Sequence, residues 1–261
     1  MPLKINTDMW SYYAKQAYNN GNYSEAMRLH KMSIEYNPCD GRPWLGLARV
    51  FWKRGEVEKA EEAYKDGLYY NPNNPFLMQS WAVMLEKLGK FKNAISILKN
   101  SVKHNPGHAA SWVALAKLRL RFGKVKEARE CYRSAVSGDP KSYVALQAWG
   151  CLEAEQGNVL EARTLFERAL NVSSRSMHTL LAWATLERKE GNLIAAESLA
   201  RRAVSASPEY SRAYSCLASI CELRGQYDEA SYLYEIGAAQ AQRHGDAGFF
   251  QVQRRMGRSR Y

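Results

Sequence analysis

The stretch YNPCDGRPWLGLA, from Tyr36 to Ala48, contains an Asn-Pro pair that returns along the chain at one fixed interval. The pair at Asn37 and Pro38 is followed by a similar turn signal every 34 residues. The later signals are Asn71-Pro72, Asn105-Pro106, Asp139-Pro140, Ser173-Ser174 and Ser207-Pro208. A turn signal with a fixed period of this length indicates a repeat protein rather than a single closed core.

Three columns of the 34-residue repeat contain only small residues. The first column is Gly21, Gly55, Gly89, Gly123, Gly157, Gly191 and Gly225. Five residues after each glycine stands Ala26, Ala60, Ala94, Ala128, Ala162, Ala196 or Ala230. Seven residues before each glycine stands Ala14, Ala48, Ala82, Ala116, Gly150, Ala184 or Ala218. Glycine fits the left-handed residue that ends a helix, and the other small residues allow two helices to approach closely.

Large apolar residues recur between these columns at helical spacing, as at Trp44, Leu47 and Phe51. The second half of each repeat has the same periodicity, with Tyr64 in an aromatic column. The pattern predicts a helix–turn–helix unit, with first helices at 7–20 and every 34 residues onward and second helices at 23–36 and onward. One hairpin cannot bury its apolar stripes alone, so the units are expected to stack.

A 34-residue hairpin with Trp, Leu, Gly or Ala, Ala, an aromatic residue, Ala and Pro at these offsets resembles the tetratricopeptide repeat (TPR). Repeats four to six also resemble the half-a-TPR (HAT) variant, as in AWGCLEAEQGNVLEARTLFERAL, residues 148–170. The resemblance implies an all-α, right-handed superhelical solenoid of seven hairpins. HAT repeats are associated with RNA-processing proteins, including chloroplast proteins that bind and stabilise messenger RNA, so this resemblance implies RNA binding in an organelle or the nucleus.

The repeat also predicts the organisation of the chain. Residues 1–6 are expected to form an N-terminal lead-in and residues 242–261 a C-terminal cap with a basic tail. The seven repeats are predicted at about 7–40, 41–74, 75–108, 109–142, 143–176, 177–210 and 211–241.

Composition narrows the function classes. The net charge is +11, from 37 basic and 26 acidic residues, and this excess favours an anionic partner. The five cysteines form no metal-binding or disulfide spacing, so we expect a reducing intracellular compartment. No uncharged apolar stretch of about 18 residues is present, so the sequence predicts no membrane span.

Much of the positive charge falls on one face of the first helices, the face that points away from the predicted core. In a solenoid of this type, that face lines the concave groove. Ten basic and four acidic residues occupy this face over seven repeats, and five basic and one acidic residue follow from residue 243. Together these two regions account for +10 of the net charge. A protein that is merely solvated is expected to distribute its excess charge more evenly.

Single-stranded RNA suits such a groove, because cations neutralise phosphates and aromatic rings stack on bases. The predicted RNA-binding residues are Lys15, Arg42, Arg49, Lys53, Lys87, Lys117, Arg121, Arg188 and Lys189. The predicted base-stacking residues are Tyr12, Tyr18, Trp52 and Phe76. For Trp52 the alternative is packing against a neighbouring hairpin. The aromatic residues cluster in repeats one to three, which favours the N-terminal half as the contact region.

No phosphate-binding loop, catalytic triad or metal-ligand set stands out from the repeat, so the sequence predicts no enzyme, cofactor, metal or small-molecule substrate. Two hypotheses therefore remain. The favoured one is an RNA-binding protein that processes or stabilises messenger RNA. The alternative is a protein-interaction scaffold or assembly subunit whose groove holds an acidic helix or extended peptide.

Overall fold

A computed structural model of the 261-residue chain describes residues 7–244. The regular structure of these residues is entirely helical. In residues 1–140 the helices are α1 (Thr7–Asn19), α2 (Tyr23–Tyr36), α3 (Gly41–Lys53), α4 (Val57–Tyr70), α5 (Pro75–Lys87), α6 (Phe91–His104), α7 (Ala109–Arg121) and α8 (Val125–Gly138). In residues 141–261 they are α9 (Tyr143–Glu155), α10 (Val159–Val172), α11 (Met177–Lys189), α12 (Leu193–Ala206), α13 (Ser211–Leu223) and α14 (Tyr227–His244).

The chain forms two compact units, residues 1–140 and 141–261. Within each unit, every odd-numbered helix packs against the helix that follows it, and each hairpin packs on the next one. The described residues therefore confirm an all-α solenoid of helical hairpins. The helix ends agree with the predicted ends to within one residue, except in α14.

Helix α14 is predicted to end at residue 241 and extends to His244, the last described residue. The sequence AAQAQRH after Gly237 has strong helix formers and no proline, so no local signal stops the helix where the repeat would stop it. The predicted lead-in of residues 1–6 and the remainder of the cap and tail, residues 245–261, lie outside the described residues.

The turn inside each hairpin has the geometry that the glycine column predicts. All seven glycines have a positive φ, which is +80° at Gly55. There the backbone N–H of Glu56 donates to the carbonyl of Phe51 at 2.9 Å, and the N–H of Gly55 donates to Trp52 at 3.1 Å. These two bonds satisfy carbonyls at the end of α3 and close the turn before α4 begins.

The Asn-Pro turn between hairpins is held by the helix that follows it. The indole Nε1 of Trp44 donates to the carbonyl of Pro38 at 2.9 Å, and Trp112 makes the same bond to Pro106. The carboxylate of Asp40 accepts from the backbone N–H of Arg42 and caps α3. The opening stretch therefore contains a helix end, a turn and a helix start in direct succession.

The core of each unit lies between its helices, where the two alanine-rich columns of the repeat are buried. In the first unit Trp44, Leu47 and Phe51 of α3 pack with Tyr64 of α4 and Leu77 of α5. In the second unit the helices from α11 to α14 meet in a core of Leu180, Ala196, Tyr214, Leu217 and Ile220. At Gly150 an added methyl group would lie 2.7 Å from the ring of Phe166, so this position has no space for the alanine that the other six repeats have in this column.

Candidate binding surface

The first helices of residues 7–140 lie beside one another and form a continuous face. Helix α3 packs against α1 and α5, and α5 packs against α7. The Nη1 atom of Arg42 is 2.9 Å from Oδ1 of Asp8, the residue 34 positions earlier. Equivalent positions of successive repeats are therefore side by side. We call the outward positions of the first helices the ladder positions; in α3 they are Arg42, Leu45, Arg49, Trp52 and Lys53, and the others follow at intervals of 34 residues.

We call this surface the basic face and define it by the exposed cations Lys15, Arg49, Lys53, Lys87 and Lys117. None of the five forms an ion pair with a described residue. Their charges are therefore uncompensated by the part of the protein that the structure describes.

The charge of residues 7–140 is unevenly distributed. The ladder positions of the four first helices include seven basic and two acidic residues, and the remainder of this region has fourteen basic and eleven acidic residues. The ladder therefore has a net charge of +5, against +3 for all other positions together. More than half of the net positive charge of this region therefore lies along the first helices, where it favours an anionic ligand.

Two predicted members of the ladder are already engaged within the protein. Arg42 donates to Asp40 as well as to Asp8, and these hydrogen bonds raise the pKa of its guanidinium above the usual range. Arg121 lies with its guanidinium carbon 4.4 Å from the centre of the Phe91 ring, and its Nη1 is 3.9 Å from Glu86. A ligand must compete with these contacts to reach either arginine.

The two predicted members in the second unit differ from each other. Lys189 is exposed, whereas Arg188 is half-buried and its Nη1 lies 3.5 Å from the hydroxyl of Ser219 on α13. The ladder positions of α9, α11 and α13 together contain three basic and two acidic residues. The excess charge of the first helices is therefore concentrated in residues 7–140.

The four predicted stacking residues differ in how much of each ring is available. Tyr12 and Phe76 are 56% and 60% exposed. Tyr18 is half-buried and meets the ring of Tyr23 edge-on, with the centroids 5.6 Å apart. Trp52 is half-buried and packs against the core of its own unit. Two of the four rings are therefore well exposed to a ligand.

Apolar side chains lie between the cations. Leu45, Val83 and Leu120 occupy ladder positions of α3, α5 and α7, and each is half-buried. Such positions offer small apolar contacts between the charged groups. The outward surface of these helices therefore combines exposed cationic side chains with half-buried aliphatic ones, so it is amphipathic.

A glutamate of the HAT-like pattern in repeat six is held by several hydrogen bonds. Glu187 is 4% exposed and accepts hydrogen bonds from Trp183 at 2.8 Å and from Asn192 at 2.8 Å. Arg163 of the preceding repeat donates to both of its carboxylate oxygens at 2.7 Å. The bonds from Arg163, above all, lower the pKa of Glu187. This carboxylate joins α10, α11 and the turn before α12, which is a structural role.

Residues 7–244 contain no group of three or more metal-ligating side chains positioned to hold a metal ion. No described helix combines the length and the apolar character needed to traverse a bilayer.

Comparison with sequence families agrees with the repeat geometry. Models of the tetratricopeptide repeat match residues 17–79 and 181–244. Between them, a model described as the cilia and flagella-associated protein 70 middle TPR-like domain matches residues 78–188. The chain belongs to the tetratricopeptide repeat superfamily, whose folds are typically non-enzymatic scaffolds for protein–protein interaction. No curated protein matches the sequence.

Solved structures with similar folds include a tetratricopeptide repeat protein. Yeast Tom70 superposes with a TM-score of 0.73 at 17% identity, over 95% of this chain and 54% of that chain. A tetratricopeptide repeat protein from Parabacteroides merdae superposes with a TM-score of 0.62 at 16% identity, over 90% of this chain and 93% of that chain. PilF of Pseudomonas aeruginosa superposes with a TM-score of 0.60 at 17% identity, over 77% of this chain and 92% of that chain. At these identities the likeness extends to the fold alone.

Proposed function

We propose that the chain is a non-enzymatic interaction module whose basic face binds an acidic, extended segment of a partner protein. The observation that carries the proposal is the set of five exposed cations with no ion pair to a described residue. Long like-charged side chains placed side by side repel one another, so their arrangement is unfavourable without an anionic ligand. The tetratricopeptide family supports a protein as that ligand.

The details of the basic face favour a peptide over a nucleic acid. Base stacking needs free ring faces, and the rings of Tyr18 and Trp52 are partly covered. The half-buried aliphatic residues between the cations suit the apolar side chains of a peptide in which acidic and apolar residues alternate. Each exposed ion pair contributes about 0.2–1 kcal/mol, so five pairs with some apolar burial support a reversible complex. A scaffold that assembles and releases subunits has this property.

Single-stranded RNA is the second candidate, because Tyr12 and Phe76 remain exposed on α1 and α5, two of the helices that carry the cations of the basic face. RNA processing or messenger RNA stabilisation, and a chloroplast or nuclear location, belong to this second candidate and rest on the HAT resemblance alone. The two candidates are separable by experiment, because peptide and RNA are different probes for one set of cations.

The test uses two fluorescent probes, a twelve-residue peptide of alternating glutamate and leucine and a twelve-nucleotide oligouridine. Binding of each probe to the full chain is measured by fluorescence anisotropy. The variant Lys53→Glu/Lys87→Glu/Lys117→Glu reverses three charges of the basic face. We expect it to weaken peptide binding at least tenfold, because each attraction becomes a repulsion.

A matched control reverses three exposed lysines on the second helices, Lys31→Glu/Lys65→Glu/Lys99→Glu, which also form one column of the repeat. Its net charge equals that of the first variant, so the comparison isolates position from total charge. Equal loss of binding in both variants would contradict a defined site. Tighter binding of oligouridine than of the peptide, with a slope of log K against log salt near −3.5, would favour the RNA candidate, since each phosphate contributes about −0.7.

A further inference from the structure

A second group of basic side chains surrounds a cavity of about 760 Å³ along α12. Four arginines line it, and they come from three places in the fold: Arg175 before α11, Arg201 and Arg202 on α12, and Arg224 after α13. The lining includes one carboxylate, that of Glu197. The walls of this cavity therefore carry a large positive excess.

Two of the arginines are held in place and two are free. Arg201 forms ion pairs with Glu197 at 2.8 Å and with Glu229 at 2.6 Å, and Arg224 also pairs with Glu197. Arg175 and Arg202 are exposed and form no ion pair with a described residue. The carboxylates orient one pair of guanidinium groups, and the other pair remains available to an anion.

Hydroxyl groups add further donors to the same space. Ser174 and Ser198 line the cavity, and neither side chain forms a hydrogen bond with a described residue. Guanidinium groups bind phosphoryl oxygens through paired N–H donors, and serine hydroxyls donate to the oxygens that remain. The two arginines without an ion pair exceed what a single carboxylate needs and match the charge of a phosphoserine, which is near −2.

A second cavity of about 920 Å³ adjoins the first and shares Ile194 and Ser198 with it. Its lining includes the apolar residues Trp183, Leu193 and Leu199. The side chain of Ile194, at the boundary between the two cavities, is 78% exposed. The charged residues in the lining of the second cavity, Arg163 and Glu187, are paired with each other, so the space next to the arginines is open mainly to apolar groups. A ligand that fills both cavities is longer than one phosphate and partly apolar.

We propose that the surface of α12 binds a phosphorylated segment of a partner protein. The phosphoryl group occupies the arginine-lined cavity, and a neighbouring apolar side chain of the same segment packs over Ile194 into the second cavity. This site shares no residue with the basic face, so this proposal can be tested independently of the function proposed above.

The test is an array of nine-residue peptides with a central phosphoserine and varied flanking residues, each also present without the phosphate. We expect the full chain to retain phosphorylated peptides with an aliphatic flanking residue at least tenfold better than their unphosphorylated forms. The variant Arg175→Ala/Arg202→Ala should lose that preference. Both residues are exposed and unpaired, so this variant is expected to fold normally, which circular dichroism checks.

The control variant Arg168→Ala/Arg212→Ala removes two exposed arginines from α10 and α13 and should keep the preference. Ile194→Ser should reduce the selection for aliphatic flanking residues while the phosphate dependence persists. The proposal is overturned if no peptide is retained better with its phosphate, or if the control loses binding as much as Arg175→Ala/Arg202→Ala does. It is also overturned if a ten-nucleotide oligouridine displaces the peptides and binds more tightly through the same two arginines.

Discussion

Two glycines of the second repeat are required for different reasons. Gly55 has a φ of +80° in the hairpin turn, and an added methyl group would meet nothing within 4 Å. Gly46 lies inside α3, where an added methyl group would lie 2.2 Å from Cε1 of His30 on α2. Backbone conformation selects the first glycine, and a close approach between two hairpins selects the second.

Because Gly46 lies against His30, the effect of a substitution at Gly46 on stability should depend on which residue occupies position 30. We expect Gly46→Ala to destabilise the protein by about 1–3 kcal/mol, because the ring of His30 must move from a packed site. In a His30→Ala background the same change should instead stabilise by about 0.5–1 kcal/mol, since alanine is the better helix former. Urea denaturation of the four proteins measures both effects. The same sign in both backgrounds would show that the ring is not the obstacle.

His30 also makes stability depend on pH. Burial lowers its pKa to about 4, so between about pH 6.5 and 4 the unfolded chain binds a proton at this residue and the folded chain does not. Stability should therefore fall as the pH falls through that range, by up to about 3 kcal/mol.

The variant His30→Phe tests this dependence, because this repeat column has Tyr64 and Phe166 in later copies. It keeps a ring at the site and removes the titration. We expect its stability to decline less than that of the original protein between pH 7 and 4.5, as followed by urea denaturation at several pH values. If the stability of both proteins declined equally over this pH range, the acid sensitivity would come from titratable groups other than His30.

At the scale of elements, α10 and α11 are joined by a buried charge pair. The carboxylate of Glu187 is almost fully buried, and Arg163 provides two of its hydrogen bonds. Because these bonds lower the pKa of Glu187, their stabilisation is present above the ordinary glutamate value and is lost as the pH falls through the lowered one. The pair connects consecutive repeats and adds a charged contact to the apolar packing between them.

Removing Arg163 should therefore lower the free energy of unfolding more than removing an arginine from an exposed ion pair. We expect Arg163→Ala to destabilise by about 2–3 kcal/mol, because it leaves a buried carboxylate with too few donors. The exposed pair of Arg133 with Glu130 provides the comparison, and Arg133→Ala should cost less than about 0.5 kcal/mol. Denaturant midpoints of both variants give the comparison directly. A similar small loss in each would mean that water replaces Arg163 at little cost.

At the scale of the molecule, the excess charge of the basic face is expected to be costly for stability. The five cations repel one another and have no ion pair with a described residue to offset the repulsion. Binding residues often reduce stability in exchange for function.

The neutral variant Lys53→Gln/Lys87→Gln/Lys117→Gln should therefore keep or raise the melting temperature while losing affinity for the acidic peptide. Calorimetry at low salt and at about 0.5 M salt measures the first effect, and the difference should shrink at high salt because ions screen the repulsion. A melting temperature lowered by several degrees at low salt would instead give these lysines a structural role.

The sequence by itself determined the repeat architecture. Hairpin length, the glycine turns and the small columns recur at one period because each depends on local backbone conformation and on contacts between adjacent helices. For this reason the ends of α1 to α13 were predictable to within one residue, and so was the side-by-side placement of the ladder positions.

Only the tertiary structure decided which charged residues are free. Arg42 and Lys53 are both ladder residues, yet Arg42 is bound to Asp8 and Asp40 and Lys53 has no ionic partner among the described residues. The arginines along α12 come from different columns of the repeat, so no column brings them together in the sequence. The physical reason is that an ion pair depends on distances of a few ångströms between side chains of different helices, and a 34-residue period does not specify those distances.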